Sequence, residues 1–205
     1  MGQLIAVAVI TVLAVISPGA DFAMTVRNSY LYGRAAGVLA AVGISLGVLV
    51  HVTYTMLGVG LLVSRTPALF TAMKLIGAAY LVYIGYKTFV TKSQVDVDLS
   101  DGTGMSKAGA LRTGFLTNAL NPKTMLFVLS TYTQVVSADT PALQQVGYGL
   151  FMSFAHLVWF GTAAVLFSNS ALRTRLLRRQ GVLNKVIGTV LVGLGMALAL
   201  TPAMA

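Results

Sequence analysis

The sequence predicts an all-α polytopic membrane protein: six transmembrane helices in two inverted three-helix repeats, with the first and fourth helices broken. Three observations predict it. The chain is 57% hydrophobic and 9% charged, with a mean hydropathy of +0.84, whereas soluble domains carry about a quarter charged residues. Its apolar residues form long continuous runs, unlike the alternating strands of a β-barrel. Landmarks of the first half also recur in the second half, in the same order.

The apolar runs cover about 3–26, 36–63, 67–90, 111–137, 142–168 and 183–201. Most exceed the roughly 20 residues a helix needs to cross a bilayer. The first run has no basic leader and flows into "SPGADF" instead of a small-residue cleavage site, so it is expected to be retained as a span. The second carries "GISLG" (43–47) and the sixth "GTVLVG" (188–193), small-residue patterns suited to close helix packing or to a homodimer contact. The linker 91–110 is the one sizeable polar segment. Its Asp96, Asp98 and Asp101 lack the closing Glu of a calcium loop, so it reads as solvated chain.

The basic residues orient the spans. Arg27 and Arg34 mark the first connection, Lys92 and Lys107 the third, and Arg173, Arg175, Arg178, Arg179 and Lys185 the fifth. The second offers Arg65 and the fourth only Asp139. Odd connections are therefore expected in the cytoplasm and both termini outside. The run "RTRLLRR" (173–179) reads as a lipid-headgroup signal in that fifth connection.

A net charge of +9 invites a nucleic-acid reading, but the basic residues flank apolar runs and build no solvated face. There is no cysteine, which removes disulfides, thiolate metal sites and dithiol relays. There is no glutamate, which removes an HExxH metalloprotease. No nucleophile–base pair stands out, so an enzyme is not expected. Neither is a cofactor or a bound metal, since one in-span Asp and two separated His make a poor metal set.

Three pairs of landmarks carry the repeat. "SPG" at 17–19 answers to "NPK" at 121–123, "HVTY" at 51–54 to "HLVW" at 156–159, and "KLIGAAYLV" at 74–82 to "KVIGTVLVG" at 185–193. Residues 1–90 and 111–205 then form the two copies, with 91–110 as the seam. Three spans per copy is odd, so the second copy enters the membrane from the opposite side. That is the architecture by which many secondary transporters show one site alternately to either face.

Both proline motifs have the form of a helix start inside a span. Ser17 and Asn121 are good N-caps, and Pro18 and Pro122 suit the first helical position while disfavouring an unbroken helix. Each break aims unpaired N–H groups and a partial positive charge inward, which lipid tolerates only where a protein cavity receives them. Gly19 adds backbone freedom there. Lys123 is the only charge between Arg112 and Asp139, and a lysine at mid-bilayer costs about 3 kcal/mol unless a partner relieves it. The expected partner is a substrate carboxylate, Asp21, or each in turn. Asp21, the only acidic residue inside a span, is a candidate for holding an ammonium group or a coupling proton. His51 and His156 fall midway along the second and fifth spans and are candidates for a proton or substrate relay, against the plainer role of core hydrogen bonding.

With these residues in place, the chain resembles the LysE/RhtB family of bacterial amino-acid exporters. "SPGADF" at 17–22 matches the family's "SPGPDF"-type motif, with Ala20 where the family usually has a second proline. "NPK" stands at 121–123. The third-span pattern matches at Lys74, Gly77, Ala78, Ala79, Tyr80, Leu81 and Gly85. The resemblance implies efflux of small amino acids or related metabolites across the cytoplasmic (inner) membrane by proton antiport. A zwitterion needs a cation for its carboxylate and an anion for its ammonium, and Lys123 and Asp21 could supply them. The alternative is transport of another small solute or ion on the same fold.

Overall fold

The computed structural model describes residues 2–17, 19–65, 67–90, 104–137 and 139–200. Pro18 and linker residues 91–103, with Asp96, Asp98 and Asp101, lie outside them. Among the described residues there are eight α-helices and no strand. They are α1 (Gly2–Ile16), α2 (Ala20–Leu31), α3 (Gly33–Arg65), α4 (Pro67–Val90), α5 (Lys107–Ala119), α6 (Pro122–Val135), α7 (Ala142–Phe167) and α8 (Ser170–Leu200).

The two expected breaks are present. α1 and α2 meet at 17–19 with a bend of 53°. α5 and α6 part at Leu120–Asn121, where Asn121 caps α6 by accepting from the Lys123 N–H and Pro122 opens the helix. A proline at the first helical position gives up only a hydrogen bond that the start of a helix lacks anyway.

Other expectations need correction. Ser17 is not the N-cap of α2. That place belongs to Gly19, with extended backbone and no side-chain cap, while the Ser17 hydroxyl bonds Thr88 of α4 at 2.9 Å. The second helix begins before the expected span of 36–63, because Gly33, at φ +82°, turns the chain directly from α2 into α3. Glycine alone takes that left-handed geometry without steric penalty. α5 begins at Lys107, inside the presumed linker, on a Ser106 cap that accepts from the Gly109 N–H. The basic run 173–179 is not a connecting loop but the first turns of α8, since Arg and Leu are good helix formers and no Gly or Pro interrupts them.

Among the described residues, Gly33–Gly58 and Ala142–Phe167 are long and apolar enough to cross a membrane alone, and the bent α1–α2 pair makes a third. The α5–α6 pair interrupts its apolar pattern with Asn118, Asn121 and Lys123.

α3 packs on α2, α5 and α7, α4 packs on α8 and α6, and α1 bridges to α6, α7 and α8. The small-residue patterns do what close packing asks of them. A Cβ on Gly43 of α3 would fall on the Leu111 carbonyl of α5, one on Gly114 of α5 on the Ala40 carbonyl, and one on Gly188 of α8 against the Gly85 backbone. Between lipid-facing helices, where water supplies little drive for association, such close backbone contact is a main source of cohesion.

Of three apolar clusters among the described residues, the two larger ones border the site. One gathers Val7 and Ile10 of α1, Val48 of α3, Phe127 and Tyr132 of α6, and Met152 of α7. The other gathers Val15, Phe22, Val26, Ile44, Phe160 and Phe167, with the Phe22 and Phe167 rings edge to face at 5.3 Å. The helix breaks meet between them.

Candidate functional site

Two interrupted helices leave two sets of unpaired backbone groups, and the side chains around the breaks answer each other. Lys123, in the first turn of α6, reaches across so that its Nζ donates to the Ser17 carbonyl at 2.5 Å. That carbonyl belongs to the C-terminal end of α1, where the helix dipole concentrates negative partial charge. Gly19 leaves room for the crossing: a Cβ there would stand 3.3 Å from Lys123 Cδ and 3.4 Å from Nζ. The lysine is therefore held by a backbone carbonyl, and the hydrogen-bond partners of Asp21 do not include it.

Asp21 sits in the first turn of α2 and is 6% exposed. Its Oδ2 accepts from Asn118 Nδ2 at 2.9 Å, Asn121 Nδ2 at 3.0 Å and Thr124 Oγ1 at 3.4 Å. Asn121 thus serves both breaks: its Oδ1 caps α6, and its Nδ2 ties that cap to the first turn of α2. The other carboxylate oxygen, Oδ1, is buried and has no protein partner. A buried carboxylate with one oxygen saturated and the other bare is costly unless a donor arrives.

Lys123 and Asp21 line one cavity with Ser17, Gly19, Asn121 and Thr124 on the polar side and Phe22, Phe127 and Phe160 on the apolar side. Its volume is ≈ 20 Å³, room for about one water-sized group by the ~10–15 Å³ that such a group needs. An ammonium group fits, whereas a whole amino acid does not, so the site is too small for such a molecule in this conformation. Larger hollows of ≈ 470 and ≈ 290 Å³ lie along α1 and α7. Their linings carry no charged residue, as expected of grooves filled by lipid.

The two histidines part company. His156 lines the cavity, between the Phe127 and Phe160 rings at 6.1 and 5.9 Å. Its Nδ1 bonds the Met152 carbonyl at 2.7 Å. A carbonyl only accepts, so Nδ1 carries a proton, and in the neutral ring Nε2 remains an acceptor. His51 is buried but does not line the cavity. Its Nε2 donates to the Asn118 carbonyl at 2.8 Å, leaving Nδ1 of the neutral ring to accept from Tyr54 Oη at 2.5 Å. Both nitrogens are used, and the ring ties α3 to the C-terminal end of α5.

The sequence motifs point to Ser17, Pro18, Gly19, Asp21, Asn121, Pro122 and Lys123; Pro18 lies outside the described residues, and Ser17, Gly19, Asp21, Asn121 and Lys123 line the cavity. Asn118, Thr124, Thr88 and the three phenylalanines join the site without having been singled out. Asn118 had a signal: it stands one helical turn before Asn121 in an otherwise apolar stretch.

The family model for LysE type translocators matches residues 12–201. An uncharacterized membrane protein of Bacillus subtilis, YrhP, is 28% identical over 98% of this chain and 100% of its own length. The uncharacterized membrane protein YahN of Escherichia coli is 26% identical over 88% of this chain and 81% of its own. The threonine efflux protein of Salmonella typhi is 26% identical over 95% of this chain and 96% of its own. No solved structure matches.

Proposed function

Given that the chain belongs to the LysE type translocators, membrane-embedded transporters, we propose that it exports small neutral amino acids across the bacterial inner membrane in exchange for protons. One observation carries this reading. The two helix breaks bring a lysine and a carboxylate with an unpartnered oxygen into the lining of one cavity. A zwitterion presents the complementary pair. Its carboxylate would draw the Lys123 ammonium away from the Ser17 carbonyl, and its ammonium would meet Asp21 Oδ1. Charge-assisted hydrogen bonds of this kind contribute about 1.5–3 kcal/mol each. Phe22, Phe127 and Phe160 would enclose a small side chain. The threonine efflux relatives supply independent support for an amino-acid cargo.

Six crossings in two inverted repeats would let the cavity open to either side in turn. The pairings α3 with α7 and α4 with α8 support this, because exchanging the two repeats maps each pairing onto itself. Asp21, free of its cargo, would take up the proton that drives the return, with both chain termini outside.

The test is efflux from reconstituted vesicles loaded with labelled small amino acids under an imposed pH gradient. Wild type releases label in a gradient-dependent way. A well-inserted Lys123→Ala variant slows release about tenfold or more, as the loss of one charge-assisted bond requires. Equal release from both would remove Lys123 from the account, and none from wild type for any amino acid would remove the function.

A further inference from the structure

α2 carries a second polar feature that the cavity does not use. Asp21, Thr25 and Asn28 recur at i, i+4 and i+7 on one buried face of the helix. Thr25 satisfies its hydroxyl on the Asp21 carbonyl at 2.8 Å, and Ser29 does the same on the Thr25 carbonyl at 2.6 Å. Asn28 does not. It is 0% exposed, inside the packing of α2 against α3, α5 and α7, and neither its Nδ2 nor its Oδ1 has a protein partner. The other orphaned atoms among the described residues are single ones, as on Thr11, Thr55 and Trp159. Asn28 forfeits its whole amide.

An amide buried without hydrogen bonds is costly against water, and a leucine of similar size would fill the position without that cost. Such an expense is understandable if another conformation supplies the partners. Asn28 lies seven residues past Asp21, about 10 Å along the helix axis at ~1.5 Å per residue, toward the end of α2 that leads to Arg34. It offers a donor and an acceptor together, the two functions a zwitterion can engage in either orientation.

We propose that Asn28 lines an access path, shut in this structure, along which the amino acid travels between the Asp21 cavity and the C-terminal end of α2. This rests on the exporter reading and adds a route to it. When the path opens, the Asn28 amide meets water and cargo. When it shuts, α2 settles back against α3, α5 and α7.

The chain has no cysteine, which makes the test direct. Asn28→Cys is introduced, with Val48→Cys as a control in the permanently packed core and Ala108→Cys as a control in the exposed start of α5. All three are exposed in vesicles to a small water-soluble methanethiosulfonate. Asn28→Cys is expected to react more than about tenfold faster than Val48→Cys, as intermittent opening demands, and a saturating transported amino acid should change its rate. Reaction as slow as at Val48→Cys overturns the proposal, and so does reaction indifferent to amino acid, which marks a static leak. Uptake and efflux by the cysteine-free parent are measured in the same vesicles. If the parent moves no amino acid, the exporter reading fails; if it does and Asn28→Cys stays silent, only the path fails.

Discussion

Asp21 shows how much of a site one side chain can organise. Its Oδ2 binds three side chains drawn from both flanks of the second break, and its Oδ1 is left for a visitor. Asp21→Asn separates these roles. The new carbonyl oxygen can take the place of Oδ2 among the three donors, so the fold holds, while an NH2 replaces the unpartnered acceptor. Melting is expected to stay near that of wild type, and half-saturation by amino acid should weaken about 10- to 100-fold with loss of a charged hydrogen bond. A variant that binds as wild type would place the ammonium elsewhere. At this scale the sequence was legible where chemistry is local. Asn121 before Pro122 reads as a cap, and Lys123 in lipid reads as needing a partner. It was not legible where partners meet across the fold. That Lys123 would settle on the Ser17 carbonyl, and that Asn118 and Thr124 would hold Asp21, depends on how α2 and α6 are set against each other, which no local spacing encodes.

Among the elements, the broken helices follow from their sequences and the intact ones follow from packing. α3 and α5 approach until the Gly43 and Gly114 backbones touch their neighbours. Gly114→Leu must push that contact apart, and overpacking of this kind costs about 1–3 kcal/mol. Its melting temperature in detergent is expected to fall clearly. Gly161→Ala on α7 has open space around the new methyl and is expected to hold or raise stability, by about 0.5–1 kcal/mol at most, because a helical glycine is entropically costly. Equal effects of the two would contradict the contact. The helices that run past the expected spans do so for one cause. Charge flanks were taken as helix ends, yet Lys107 and the 173–179 arginines sit within the first turns of α5 and α8. Charge marks where a helix leaves the apolar layer, and the helix itself continues until a turn residue such as Gly33 stops it.

For the molecule as a whole, two apolar clusters border a polar centre that is too small, in this conformation, for its proposed cargo. Export then requires that the centre open to each side in turn, and Asn28 points to one of those openings. On the proposed function, the meeting point of the two breaks recognises both ends of a zwitterion. Binding to the purified protein by calorimetry tests it most directly, comparing a transported amino acid with its decarboxylated amine and its deaminated acid. The account predicts that the intact amino acid binds and that each fragment, lacking its partner for Lys123 or for Asp21, binds at least about tenfold more weakly. An amine that binds as tightly as the amino acid would contradict it.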